Sequence, residues 1–171
     1  SCPSGALQIA HADATLAALL EAGMLVAQHP PDEARQPAGH RVAVHATREV
    51  HADLVRALRQ VGCDPDPEAP VALVAAAGEV RRTEADQHQR DGRPHQLLSA
   101  TARGWSVGPF VLPGATACLR CVDAHRAERD PRRALVVDQL AGRAVAPPDP
   151  LIATIAAAWA VRDLLTFLEG G

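Results

Sequence analysis

Lysine, asparagine and tyrosine do not occur in the 171 residues, and all 17 basic residues are arginines. Without lysine, the chain has no side-chain amine for a Schiff base, no P-loop lysine and no lysine clamp on a phosphate. The codons for these three residues are AT-rich, so strong GC bias in the gene accounts for their absence. The chemical exclusion holds whatever its cause.

Aromatic residues are also scarce, at two tryptophans and two phenylalanines. A hydrophobic core must therefore consist mainly of alanine, valine and leucine. Recognition of single-stranded nucleic acid relies on aromatic stacking and a basic groove, and the net charge here is -3. We therefore expect no nucleic-acid partner. A chain of this length fits one domain, or one domain with a small appendage.

Cysteine is too sparse for a disulfide scaffold in a chain of this length. The cysteines present are Cys2, Cys63, Cys118 and Cys121. No signal-peptide pattern opens the sequence, and its longest apolar run, residues 151–161, stops at Arg162 and is too short to span a bilayer. These features predict a soluble protein of the reducing cytoplasm with no membrane partner.

The first 27 residues predict a helix followed by a short strand. Residues 11–21 place leucines on one side of a helix, Gly23 provides a left-handed stop, and residues 24–26 are strand-like. This order is typical of the end of a winged-helix unit and equally of an ordinary helix-to-strand connection, and the residues leave both open. Residues 28–40 contain three prolines and little apolar content, which predicts a linker.

Residues 41–171 follow the alternation of an α/β domain. The first strand, helix and strand form a βαβ unit, as in a parallel sheet. We predict an α/β fold with a Rossmann-like, partly parallel sheet and flanking helices, preceded by the partial winged-helix unit if that interpretation holds. The expected strands cover 41–45, 71–76, 96–102 and 105–112, and the expected helices cover 49–61 and part of 81–93.

The last helix has a defined start and end. Asp149 is the predicted N-cap, Pro150 occupies the first helical position, and Gly170 follows the last turn. The apolar residues of this helix lie on nearly all of its sides, which predicts burial against the sheet, a second subunit or both. A homodimer through this helix is the expected assembly.

Residues 108–131 have the sequence GPFVLPGATACLRCVDAHRAERDP. This segment resembles the signature of the ubiquitin-activating-enzyme-like (ThiF-like) proteins that accompany YcaO-type cyclodehydratases in the biosynthesis of thiazole- and oxazole-containing peptides such as bacteriocins. Weaker similarity covers most of residues 41–169. The residues that match the family's pattern are Gly108, Pro109, Pro113, Gly114, Thr116, Cys118, Cys121, His125, Arg126, Arg129, Asp130 and Pro131.

The resemblance implies a non-catalytic member of that family, a pseudoenzyme that acts as a scaffold. Its implied partners are a ribosomally made precursor peptide, bound through its leader, and a separate YcaO-type cyclodehydratase that carries out the ATP chemistry. The family places a winged-helix peptide-binding unit before the α/β core, which favours that interpretation of residues 1–27. An active adenylyltransferase and a zinc-stabilised interaction module are the competing functions.

The nucleotide site of an adenylyltransferase is not recognisable. Such a site needs a glycine-rich turn after the first strand, because only glycine lets the backbone approach a phosphate at a helix N-terminus. Residues 44–50 contain no glycine, and Glu49 would repel phosphate. Active relatives also use a lysine near the triphosphate, which this sequence lacks. We therefore predict no nucleotide cofactor, and we expect His45 and His51 to be surface or cap residues without a catalytic role.

Cys118 and Cys121 form a CxxC pair with three interpretations. Structural zinc needs four ligands, and His125, one helical turn further on, is a candidate third, with Cys2 or Cys63 supplied from a distance. The pair is otherwise a vestige that serves packing, or a redox-active dithiol. The sequence leaves all three open.

The end of the signature carries charged residues at helical spacing. His125 and Arg129 share a helix face, as do Arg126 and Asp130. In one interpretation an Arg126–Asp130 ion pair closes a helix that Pro131 terminates. In the other, Arg126 and Arg129 form a basic patch that receives an acidic leader peptide or docks the partner enzyme.

Overall fold

A computed structural model of the chain describes residues 39–101, 104–143, 145 and 149–170. The predicted winged-helix end at residues 1–27 and nearly all of the predicted linker at 28–40 lie outside the described residues. The α/β domain predicted for residues 41–171 falls almost entirely within them.

The described residues contain the strands β1 (Arg41–Ala46), β2 (Asp64–Pro65), β3 (Ala72–Ala76), β4 (His95–Thr101) and β5 (Gly104–Val111). They form one sheet in the order β2-β1-β3-β4-β5. The first four strands are parallel, and β5 pairs with β4 in the antiparallel direction. This confirms the predicted α/β class with a mostly parallel, mixed sheet.

Five helices flank the sheet within the described ranges. They are α1 (Arg48–Gln60), α2 (Arg82–Arg90), α3 (Leu119–Ala127), α4 (Arg133–Leu140) and α5 (Pro150–Leu168). The sequence predicted α1, α2, a helix at the position of α3, and α5, but neither α4 nor the two-residue strand β2.

α1 forms because its apolar residues recur on one face. Val50, Leu54 and Leu58 lie four residues apart and are buried, and Gly62, with a φ of 74°, reverses the chain after the last turn. All five residues of β3 are buried, as expected for a central strand of a sheet that is covered on both faces.

The two faces of the sheet carry separate hydrophobic cores. On one face, α1 and α5 pack over a cluster that includes Val42 and Leu73. On the other face, Val74 packs with Ala85 of α2, and Leu119 of α3 lies against them. The result is a helix–sheet–helix sandwich in which α2 and α3 share one face.

α5 begins where the sequence predicts, because the carboxylate of Asp149 accepts a hydrogen bond from the N–H of Leu151 at 2.8 Å and Pro150 is the first helical residue. One side of the helix is buried, at Ala153, Ala156, Ala157, Ala160, Val161, Leu164 and Leu165. The opposite side exposes an apolar stripe, formed by Leu151, Ile152, Ile155 and Trp159 at exposures of 42% to 65%.

The apolar run at residues 151–161 is too short to span a bilayer, but α5 as a whole is long and apolar enough to cross a membrane by length and composition alone. An 18-residue window of this helix has a mean hydropathy of 1.7, and 39% of that window is buried inside the protein. A core helix has the same composition, and the buried alanines of α5 lie against β4, β5 and α1.

Candidate functional site

The strand order reverses between β1 and β3. In open α/β sheets, ligands bind outside the carboxyl ends of the strands at such a switch point. Thr47, the N-cap of α1, follows β1 directly. Its hydroxyl accepts a hydrogen bond from the N–H of Ala77 at 3.0 Å, and its own N–H donates to the carbonyl of Ala75 at 3.1 Å. The turn after β1 is therefore tied to the end of β3.

A returning segment covers the end of β3 as well. The N–H of Val145 donates to the carbonyl of Ala77 at 2.6 Å. The next residue, Gly78, has a φ of 148°, and a Cβ atom there would collide with the carbonyl oxygen of Arg143. Both backbone polar groups of Ala77 are thus engaged by the protein itself, one by Thr47 and the other by Val145.

Three histidines cluster beside the switch point. The ring centroids of His45 and His88 are 4.9 Å apart, and those of His88 and His95 are 5.3 Å apart. Nδ1 of His95 lies 2.9 Å from the carbonyl oxygen of Arg93. Because a carbonyl only accepts, this nitrogen carries the hydrogen and Nε2 is an acceptor. Within the described residues, Nε2 of His95 and Nδ1 of His88 are buried without a hydrogen-bond partner.

Burial makes this cluster hard to protonate. It lowers the pKa of His88 to about 4, and the neighbouring His45, His95 and Arg93 add repulsion. Burial also lowers the pKa of His45 and of His95. A cavity of about 500 Å³ borders His45 and His88, and His45 is exposed on it as a surface residue. At neutral pH His45 and His88 are therefore uncharged parts of the wall of that cavity.

An ion cluster around the buried Arg82 joins three helices on the face that carries α2 and α3. Nε and Nη2 of Arg82 donate to the carboxylate of Asp123 at 2.6 and 2.8 Å, and Nη1 donates to Glu79 at 3.0 Å. Arg133 of α4 reaches the same two carboxylates, at 3.3 Å from Glu79 and 3.7 Å from Asp123. Burial acts to raise the pKa of Asp123, but the hydrogen bonds and charge of Arg82 outweigh it and lower the pKa.

A second pocket, here called the polar pocket, opens above this cluster at the carboxyl end of β4. Its volume is about 200 Å³. Gly108, with a φ of 102°, and Pro109, after a cis peptide bond, form part of its wall, so the signature segment contributes directly to it. Its polar lining includes Ser99, Ser106, Glu79, Arg82, Arg126 and Arg133. Glu79 and Asp123 neutralise Arg82 and Arg133, so Arg126 is the lining charge that remains to favour an anionic group in the pocket.

Cys118 and Cys121 lie side by side. Their sulfur atoms are 3.4 Å apart, Cys118 being the N-cap of α3 and Cys121 lying in its first turn. His125 lies at the other end of the helix, where Nδ1 is 3.5 Å from a carboxylate oxygen of Glu128. Among the described residues, no group of three histidine, cysteine, aspartate or glutamate side chains is placed to hold a metal ion. Zinc binding by this set stays a prediction.

The two arginines of the predicted basic patch are both exposed. Arg126 lines the polar pocket, whereas Arg129 does not. The predicted Arg126–Asp130 ion pair does not form within the described part of the chain; the carboxylate of Asp130 accepts instead from the N–H of Arg132 at 3.1 Å. α3 ends at Ala127, before Pro131 is reached.

The sequence did not reveal Arg82 and Asp123 as site residues. They lie 41 positions apart, in segments whose local patterns predict only helices.

Comparison with known proteins gives a structural match and no sequence match. No protein-family model matches the chain, and no curated protein matches it. The fold matches a solved heterocyclase in complex with substrate and cofactor, with a TM-score of 0.62 and 17% identity over 91% of this chain and 24% of that one. It also matches the heterocyclase TruD, with a TM-score of 0.61 and 20% identity over 91% and 27%.

This likeness shows a shared fold. The chain spans about a quarter of the length of the heterocyclase chains it matches. Activity, substrates and partners of those whole proteins therefore do not transfer with the fold.

Proposed function

We propose that the chain is a non-catalytic scaffold that presents a precursor peptide to a YcaO-type cyclodehydratase during the biosynthesis of azol(in)e-containing ribosomal peptides in the cytoplasm. Two observations support the proposal. The segment at residues 108–131 resembles the signature of proteins of this pathway. The fold resembles part of the structures of two heterocyclases.

The observation that carries the non-catalytic part is the hydrogen bond from the N–H of Ala77 to the hydroxyl of Thr47. A nucleotide at the switch point needs free backbone N–H groups and glycine at the turn. Here the turn holds Thr47, the returning Val145 covers the other side of Ala77, and Glu49 places a carboxylate in the first turn of α1. These features disfavour a triphosphate by sterics and by charge.

The polar pocket is the proposed point of peptide contact. Arg126 is an exposed residue of its lining and has no carboxylate partner in the described structure, so its charge is available to an acidic residue or a terminal carboxylate of a peptide. Arg129 is on the same helix and exposed, and we assign it to the rim of the same surface or to the partner enzyme.

Calorimetric titration with ATP and magnesium tests the non-catalytic assignment. We expect no heat beyond the heat of dilution. Binding at micromolar affinity would support the competing function, an active adenylyltransferase, and would exclude the scaffold.

Peptide contact is tested by fluorescence anisotropy with a labelled precursor peptide from a gene cluster that encodes a YcaO enzyme. We expect Arg126→Glu to weaken binding by about tenfold or more, because a charge-assisted hydrogen bond contributes roughly 1.5–3 kcal/mol. Arg59→Glu is the matched control, since it makes the same charge change on α1, on the opposite face of the sheet. Equal loss in both variants would indicate general electrostatics and contradict a role for the pocket.

The scaffold role itself is measured by adding the chain to the YcaO enzyme, ATP and the same peptide. Mass spectrometry should show loss of one water per ring only when the chain is present. Equal ring formation without it would exclude the scaffold assignment.

A further inference from the structure

We propose that the cavity beside the histidine cluster, here called the histidine cavity, binds a guanidinium group through the carboxylates of Glu84 and Asp91, with the rings of His45 and His88 as part of its wall. The proposal does not depend on the pathway proposed above. It concerns a different cavity from the polar pocket, with lining residues of its own.

The histidine cavity lies on the face of the sheet that carries α2. Ala43 of β1 belongs to the same core cluster as Ala85 of α2. His45, two residues further along β1, is on the same side of the strand and contacts the ring of His88. The volume of the cavity is about 500 Å³, and small-molecule sites measure about 300–1,000 Å³. A planar cation with its alkyl chain fits such a space.

One face of α2, continued by its C-cap residue, supplies most of the polar wall. Four residues recur there at spacings of three and four, and all of them line the cavity: Glu84, Gln87, His88 and Asp91. Side chains at this spacing are neighbours along one side of a helix. Seven residues correspond to about 10 Å along a helix axis, so one carboxylate lies near each end of this face.

These side chains can accept hydrogen bonds from a ligand. The carboxylate of Glu84 has no ion-pair partner among the described residues. The two oxygens of Asp91 accept from the side-chain amide of Gln87, at 2.9 and 3.0 Å. A carboxylate has about four acceptor sites, so Asp91 keeps capacity for a second donor. The wall therefore suits a ligand that carries several N–H groups.

His88 is a second, independent indication of a ligand. It is 6% exposed and lines the cavity, and its Nδ1 atom has no hydrogen-bond partner within the described ranges. Buried polar atoms without a partner are uncommon in native proteins. Because burial lowers the pKa of His88 to about 4, the ring is neutral at pH 7 and does not repel a cation. Its face is a surface on which a guanidinium can stack.

The charge of the lining favours a cation over an anion. Among the described residues that line the cavity, Arg93 alone carries a guanidinium. Its Nε donates to the carbonyl of Ala69 and its Nη2 to the carbonyl of Pro67, each at 2.8 Å. These bonds hold the group against the loop before β3. The charge of Arg93 offsets one of the two carboxylates, so the lining keeps one negative charge.

A guanidinium fits this wall better than an ammonium. Its planar fork donates two parallel hydrogen bonds to a carboxylate, and its face stacks on a ring such as that of His45. An ammonium is a compact, strongly hydrated charge that uses neither feature. A free small molecule and an arginine side chain of a peptide both carry the required group.

NMR titration of the full chain, with labelled histidine, tests the site. The probe is N-acetylarginine methylamide. N-acetylcitrulline methylamide is the matched control, because a neutral urea replaces the guanidinium in a similar shape. We expect the arginine probe to shift the ring signals of His45 and His88 saturably, with a dissociation constant roughly in the millimolar range. The signals of His51 and His125, which are exposed and outside the lining, should not move.

Two substitutions remove the carboxylates while keeping the shape of the side chains. Glu84→Gln and Asp91→Asn should each weaken binding by about two- to fivefold, as expected for exposed ion pairs. Asp86→Asn is the control, since it removes a carboxylate from the same helix at a position that pairs with Arg120 and does not line the cavity. It should leave the affinity unchanged. Equal losses in all three variants would attribute binding to the general field of α2 and overturn the site.

Further probes distinguish the source of the group and its chemistry. Tighter binding of agmatine than of the arginine probe would assign the cavity to a free small molecule, and the reverse would assign it to a peptide side chain. Both results support a guanidinium site. Equal shifts with the citrulline probe would overturn the need for charge, and equal binding of N-acetyllysine methylamide would overturn the need for a planar cation. The absence of a saturable shift with either guanidinium probe would overturn the whole proposal.

Discussion

The guanidinium of Arg82 meets the carboxylate of Asp123 through two hydrogen bonds, of 2.6 and 2.8 Å, which join α2 to α3. Arg120 and Asp86 join the same two helices by hydrogen bonds of 2.8 to 3.3 Å. The side chain of Arg82 is 5% exposed and that of Arg120 is 56% exposed. The two pairs are therefore matched in position and opposite in environment.

Asp123→Ala should destabilise the protein far more than Asp86→Ala. The first change leaves the buried charge of Arg82 with Glu79 as its remaining carboxylate, and breaking a buried pair from one side costs roughly 3–5 kcal/mol. The second breaks an exposed pair, which contributes about 0–1 kcal/mol. Urea unfolding of both variants measures the difference. Equal losses of unfolding free energy would show that the burial of Arg82 does not strengthen its ion pair with Asp123.

Gly78→Ala should be more destabilising than Gly92→Ala. Both glycines have a positive φ, of 148° and 65°, so both substitutions introduce backbone strain. At Gly92 an added Cβ meets no atom within 4 Å, whereas at Gly78 it collides with the carbonyl oxygen of Arg143. We expect a further loss of about 1–3 kcal/mol at Gly78 from overpacking. Thermal unfolding measures the loss of stability in each variant. Equal losses would contradict the close contact between Gly78 and the carbonyl oxygen of Arg143.

The histidine cluster should make the protein sensitive to mild acid. The pKa of His88 is lowered to about 4 in the folded state, so stability is complete above the unfolded pKa of about 6.5 and falls as the pH drops toward 4. The loss from His88 alone amounts to at most about 3 kcal/mol. His45, His95 and Arg93 act on it in the same direction, and Asp91 opposes them.

Substitution separates this effect from general acid denaturation. His88→Leu should reduce the difference in unfolding free energy between pH 7 and pH 4.5, measured by urea titration at each pH. His51→Leu, at an exposed position of α1, is the control and should keep the wild-type difference. A His88→Leu variant that loses as much stability as the wild type would contradict the assignment.

We propose the apolar stripe on α5 as the dimer surface, because these apolar side chains are not covered by the rest of the described chain. Trp159→Glu places a charge at a residue that is 64% exposed, and it should convert a dimer to a monomer in light scattering while leaving the fold intact by circular dichroism. Thr83→Glu, at an exposed position of α2 on the opposite face of the sheet, should leave the dimer unchanged. A wild-type chain that is monomeric at high concentration would exclude this use of the stripe.

Local sequence patterns predicted the elements whose signals are local. α5 carries its own cap at Asp149, and the apolar spacing of α1 marks its buried face, so both were found close to their observed bounds. α4 was missed because its apolar residues follow no amphipathic period: Leu135 is 66% exposed and only Val137 is buried. β2 was missed because two residues, one a proline, carry no strand pattern.

The site was predictable only in part, for a related reason. Cys118 and Cys121 come together through the geometry of one helix turn, which spacing alone predicts. The polar pocket depends on contacts between residues that are distant along the chain, such as Arg82 with Asp123. A buried arginine and an exposed one have the same appearance in a sequence, so no local pattern separates Arg82 from Arg120.

The contact between Ala77 and Val145 also bears on the order in which the domain folds. Between these residues the chain must complete α2, β4, β5, α3 and α4 before Val145 returns to the end of β3. Loop closure over so long a segment is entropically costly and tends to follow the local contacts. The contact that closes the switch point is therefore expected to form after the sheet, and a chain caught before it forms would have the carboxyl end of β3 still open.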